Sequence, residues 1–235
     1  SFNFAIHVSS IASCRNSEAA KFHHELGADR IIFPRNMKIS EMEKMAIECP
    51  ELEFESFVLN DGCVFEEGSC HTIHLPGKLG GAICLDNYQS IEQRVDGESL
   101  TQEEQLAFRL NDEDYQSWVW YRFGNGFSMS KNGLPYGPCG LCAMSRLAAG
   151  GVTSVKIAGR DAPTARKIKS VEMVAQVRQT LMKSGSDSAK ILARNMREQP
   201  EHCQVGYMCY YPEVRMKVSD QSIEQSNNAI AILNI

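Results

Sequence analysis

The chain has 235 residues, 43% of them hydrophobic and 23% charged, with a formal net charge of -5, the profile of a soluble globular protein of one large domain or two small ones. Slight acidity leaves no global footprint for nucleic acid; a local basic stretch of Arg160, Arg166, Lys167 and Lys169 reads either as an RNA patch or as a solvated first turn of a helix. No apolar run approaches the roughly 20 residues that span a bilayer, and no charged-then-apolar leader opens the chain, so a cytoplasmic protein without membrane contact is expected.

Phe4 to Ser9 is a short apolar run that fits a buried parallel strand. Asn16 or Ser17 then caps a helix to about Leu26, with Ala19, Phe22 and Leu26 on one face. Arg30 to Phe33 forms the next strand. Ser40 with Glu43 three residues on forms a capping box, followed by the stripe Met42, Met45, Ala46 and Cys49 and a stop at Pro50. Leu52 to Leu59 is a third, alternating strand.

From 60 to 140 the pattern breaks into a long insertion, with a short helix over Thr101 to Leu110. The aromatic run Trp118, Trp120, Tyr121, Phe123 and Phe127 is expected to pack over a site, since loops of that length are usually functional. Leu141 to Ala149 then reads as helix and Val152 to Ile157 as strand. Pro163 opens a helix that runs to about Lys183, and a further helix spans Ser186 to Arg197.

These are four strand-helix units, the signature of an α/β fold with parallel strands. Four strands do not close an eight-stranded barrel. Either they form an open sheet or, as we prefer, they are the C-terminal half of a TIM-like (βα) barrel whose first half precedes them, since residue 4 already lies in a strand. Residues 1–184 would be this partial barrel, with the cysteine loop and insertion at 60–140, and 185–235 a helical or irregular extension. Ligands should sit beyond the carboxyl ends of the strands, where both the Cys63 loop and Arg160 lie.

The chemistry concentrates in Gly62 to Cys84. Cys63, Cys70 and Cys84 stand in a loop loosened by Gly62, Gly68, Gly77, Gly80 and Gly81, and soft thiolates select zinc or iron-sulfur clusters. Six residues separate the first two cysteines and thirteen the next pair, wider than zinc-knuckle spacing. Scattered thiolates suit a [4Fe-4S] cluster. Cys142, in GPCGLCAM, is the preferred fourth ligand, with Cys139 close behind. Cys203 and Cys209, in HCQVGYMCYYPE, could hold a second metal, supply a cluster ligand or be core thiols. Cys14 and Cys49 read as structural, and an odd total of nine argues against a disulfide framework. His71 and His74 are candidate donors to cluster sulfur or zinc ligands, and His7 could face a pocket. No nucleophile elbow or HExxH motif is present.

Glu55-x-Phe57 followed by Cys63, four residues, Gly68, one residue and Cys70 resembles the signature of the collagenase-like peptidases, peptidase family thirty-two of unknown catalytic type. IHVSSIASCRNSEAAKFHHELGADRIIFPRNMKISEME and GGVTSVKIAGR resemble further blocks of that family. Asn60, Asp61 and Gly62 depart from its usual Gly, small and aliphatic residues, and Ala158 from its glutamate.

The resemblance implies a TIM-like barrel with a [4Fe-4S] cluster on Cys63, Cys70, Cys84 and Cys142. It also implies a role in oxygen-independent hydroxylation of a nucleobase in tRNA or rRNA, or of a ubiquinone precursor. Some such factors depend on prephenate, a candidate cosubstrate here, and some act with a paralogous partner subunit. Lys156, Arg160 and His7 would then contact an anionic substrate, unless the two cations simply pair with carboxylates at the strand ends. The alternatives are a metal- or thiol-dependent peptidase and a non-catalytic, cluster-bearing subunit.

Overall fold

The computed structural model describes residues 4–60, 67–68, 91–126, 129–198 and 201–215. Its frame is a parallel sheet of four strands in consecutive order: β1 (His7–Val8), β2 (Arg30–Ile32), β3 (Glu53–Leu59) and β4 (Ser154–Ile157). All four fall within the expected strand ranges, and the fold is mixed α/β. Helices α1 (Ser17–Glu25) and α2 (Ile39–Glu48) connect the first three strands.

Period-two alternation divides the central strands between two faces. Ile31 lies opposite Phe54, and Ser56 donates to the Met42 sulfur at 3.4 Å, so this face packs on α2. Phe33 stacks on Phe54 with ring centroids 4.9 Å apart. Ile31, Phe54, Val58, Met42 and Met45 are all buried, each worth about 1.5–3 kcal/mol of transfer free energy. The opposite face carries Arg30, Glu53, Glu55, Phe57 and Lys156, with Arg30 paired to Glu53 and Phe57 to Lys156 in the ladders.

Asn16 caps α1 as expected, its side chain accepting from the Ala19 N–H at 2.8 Å. Helix α2 starts earlier than expected: its N-cap is Lys38 rather than Ser40. Glu41 accepts the Lys38 N–H at 2.9 Å and Glu213 accepts the Ile39 N–H at 2.7 Å. Two carboxylates at a helix N-terminus, where the dipole favours them, make a serine cap unnecessary. Glu43, expected in the capping box, instead pairs with Arg146 at 2.6 Å.

The expected short helix at 101–110 is much longer. Helix α3 (Gln102–Gly126) runs 25 residues and absorbs most of the aromatic run. Its first turns are largely exposed; its last turns attach through Tyr121 on His202 and Arg122 donating to the Tyr207 carbonyl at 2.6 Å. A 3-10 turn (Leu141–Ala143) then leads into α4 (Met144–Ala149). Helix α5 (Thr164–Asn195) follows β4 and breaks at Gly185, with φ 84°, matching the two helices expected there. Both parts of α5 enter the same core, through Met173 and Val177 before the break and Ala189 and Ala193 after it. A short α6 (Glu201–Val205) precedes the last described turn.

Candidate cysteine site

Cys63, Cys70, Cys84, His71 and His74 lie outside the described residues, but the loop's anchor does not. Glu67 is buried, and its carboxylate accepts from Ser10 Oγ at 2.9 Å, from the Arg35 N–H at 2.8 Å and from the Arg35 guanidinium. Its carbonyl accepts from Ser13 Oγ. Ser10 follows β1 and Arg35 follows β2, so the loop is fastened at the carboxyl ends of two strands. Gly68 has φ +80°, and a Cβ there would collide with Ser13 Oγ and the Ile11 carbonyl. The glycine between the two signature cysteines is therefore a packing requirement.

Asn60 leaves β3 with φ 64°, a left-handed conformation that Asn tolerates better than most residues. Glycine would take the same conformation without strain. Asn60 Nδ2 donates to Ser170 Oγ at 2.7 Å, and its backbone N–H donates to the Pro138 carbonyl at 2.7 Å. Tyr210 Oη donates to the Asn60 carbonyl.

The signature's Glu55 and Phe57 organise the charged face of the sheet. Buried Glu55 accepts from Lys156 Nζ at 2.7 Å and from Arg30 at 3.2 Å. The Arg35 guanidinium lies 3.6 Å from the centre of the Phe57 ring. Lys156 is thus engaged by a buried carboxylate at the strand end. Arg160 is exposed just beyond β4. His7 is exposed on β1, the opposite edge of the sheet, so the three expected substrate contacts do not gather at one point. The expected basic stretch is also split: Arg166 is buried, while Lys169 pairs with Glu172 at 2.8 Å.

Cys142 does not stand alone. Cys139, Cys142, Cys203 and Cys209 line one cavity of about 30 Å³. Of the first pair Cys139 precedes the 3-10 turn and Cys142 lies in it, the second pair belongs to α6 and the segment after it, and a parallel bridge joins Cys139 to Cys209. The Cys139 N–H donates to the Met208 carbonyl at 2.7 Å, and the Tyr210 N–H donates back to Cys139 at 3.0 Å. Among the described residues, no three His, Cys, Asp or Glu side chains already stand at metal-ligand spacing, so the thiols share a cavity without meeting at a point.

Burial, reinforced by Cys139, Cys209 and Cys203, holds the Cys142 thiol far above its usual range. Burial pushes Cys209 up to about 11. Cys203 is also raised, by burial first and Cys139 second, while Arg197, Arg194 and Arg215 oppose the rise. The cavity therefore resists lone thiolates, and a soft cation among the sulfurs would reverse that preference. The pairing of the two cysteine groups was missed in the sequence, where the two-residue gap between Cys139 and Cys142 was a signal for one half of it only.

A family model described as Peptidase family U32 matches residues 1–217. No curated protein and no solved structure matches the chain.

Proposed function

We propose, from the premise that this chain belongs to peptidase family U32, that it carries a [4Fe-4S] cluster on the Cys63 loop. In this reading it serves oxygen-independent hydroxylation of a ring, either a nucleobase of tRNA or rRNA or a ubiquinone precursor. The observation that carries the reading is the fastening of that loop by Glu67 and Gly68 beyond β1 and β2. In (βα) barrels the carboxyl ends of the strands are where substrates bind and react, and consecutive parallel strands fit one half of such a barrel. When bound, the cluster would supply redox equivalents or a Lewis-acidic iron next to the substrate.

Cys63, Cys70 and Cys84 would hold it. A fourth protein thiolate, for which Cys142 is the candidate, would close the cluster; without one, an iron stays open to substrate. Arg160, exposed after β4, is placed to hold an anionic substrate or a cosubstrate such as prephenate. Lys156 supports the site through Glu55 instead. The family's description favours a second reading, hydrolysis of peptides by a metal or thiol. A third is a cluster-bearing subunit that acts only with a paralogous partner.

The deciding measurement is iron and acid-labile sulfide on protein purified without oxygen, beside Cys63→Ala. About four of each per chain, lost in the variant, is expected, and Arg160→Ala should keep the iron while weakening substrate binding. A colourless wild-type protein that cleaves peptides in air and chelator would replace this reading with the peptidase. Iron without turnover unless a partner is added would identify the subunit.

A further inference from the structure

We propose that Cys139, Cys142, Cys203 and Cys209 form a closed four-thiolate site for a single soft divalent ion of the zinc class, separate from the cysteine loop at 63–84. The site follows from how the chain brings two cysteine pairs together. Cys139 and Cys142 are three residues apart at the entry to the 3-10 turn, Cys139 just before its N-cap Gly140 and Cys142 within it. Cys203 and Cys209 arrive from α6 and the segment after it, and the Cys139 to Cys209 bridge zips the two segments at backbone level. Cys139 and Cys142 have the spacing common in zinc sites, whereas five residues separate Cys203 and Cys209, so that half of the ligand set is gathered by the fold rather than by local spacing.

Size, charge and an orphaned polar atom agree. A cavity of about 30 Å³ has room for one ion-sized occupant. One divalent ion with four thiolates carries a surplus of two negative charges, and Arg194, Arg197 and Arg215 border the same cavity. Arg197 is fixed there, buried and donating to the Tyr136 carbonyl at 2.7 Å and the Pro135 carbonyl at 3.2 Å.

His202 is 3% exposed, with Nδ1 lying 2.5 Å from Tyr121 Oη and Nε2 buried without a hydrogen-bond partner. With the phenol donating to Nδ1, the Nε2 proton is left for a thiolate sulfur, the outer-shell donor that thiolate sites commonly use. The cysteine side chains would turn toward the ion as it binds, and their protons leave to solvent.

The ion would rivet the 201–215 segment to the turn before α4. That segment closes over the end of β3, where Tyr211 Oη donates to the Phe57 carbonyl at 2.7 Å and Tyr210 Oη to that of Asn60. Cys142 would then be committed here. If the cluster reading above is also right, its loop retains three thiolates and an open iron; only this consequence rests on that reading.

The test is metal analysis of the full chain purified without oxygen or chelator. About one zinc per chain is expected, kept in Cys63→Ala and reduced at least severalfold in Cys203→Ala and Cys209→Ala. To guard against variants that merely misfold, the unmutated chain is stripped of metal, treated with zinc or buffer, and alkylated. Zinc should protect Cys139, Cys142, Cys203 and Cys209 together. Absence of zinc with no protection on adding it, loss of zinc in Cys63→Ala, iron and sulfide that disappear with Cys209, or a disulfide within the four would each overturn the site. Zinc without iron would support this site while sinking the cluster.

Discussion

Gly68 shows how a single residue can couple fold to chemistry. Its φ of +80° and the contacts awaiting a Cβ make Gly68→Ala costly by about 1–3 kcal/mol through strain and overpacking. Relief requires Gly68 and the Ile11–Ser13 turn after β1 to move apart. The expected outcome is a folded chain, with unfolding in urea shifted by that amount, that holds severalfold less iron than wild type; full iron in this variant would show that the anchor does not set the cluster. At this scale the sequence was informative about residue type. Glycine in the signature pointed to a backbone need, and Asn60 departed from glycine only to another residue that accepts the same left-handed conformation. It was not informative about engagement. Whether Lys156 faces substrate or a carboxylate depends on Glu55 in the neighbouring strand, 101 residues away in the chain, and no local spacing records that.

Elements were legible where a local pattern had a local cause. α1 begins at the expected Asn16 because the cap lies within its own first turn. α2 does not begin at Ser40, because one acceptor for its first amides comes from Glu213, 174 residues away. Removing that acceptor gives a direct check. Glu213→Ala should destabilise by about 0.5–2 kcal/mol, while Glu213→Gln, which keeps an oxygen but not the charge, should lose less. Denaturant midpoints would separate the two variants; equal midpoints for Ala and wild type would show the contact to be idle. α3 was foreshortened for a different reason. A helix with an exposed first half and a few aromatic attachments at its end has no apolar stripe to read, and periodicity is the signal on which the expectation rested.

On the scale of the whole molecule, four strands were readable because each is an apolar or alternating run bounded by turns, and consecutive parallel pairing follows from the helical crossovers. The gathering of four thiols was not readable, since Cys139 meets Cys209 only through a bridge between distant segments. The same bridge makes the proposed ion's effect local and measurable. Four backbone bonds tie the turn, the 201–215 segment and the end of β3: Asn60 to Pro138 at 2.7 Å, Gly140 to Val58 at 2.8 Å, Cys139 to Met208 at 2.7 Å and Tyr210 to Cys139 at 3.0 Å. If an ion rivets this corner, stripping it should speed hydrogen exchange at the Asn60, Cys139 and Tyr210 amides by about tenfold or more as the segment opens below the global unfolding free energy. Ile31 and Phe54, buried between sheet and α2, should keep their protection. Uniform acceleration would mean that the ion stabilises the fold as a whole, and unchanged exchange at all five amides would mean that the corner stands by its backbone bonds and the two tyrosine hydroxyls alone.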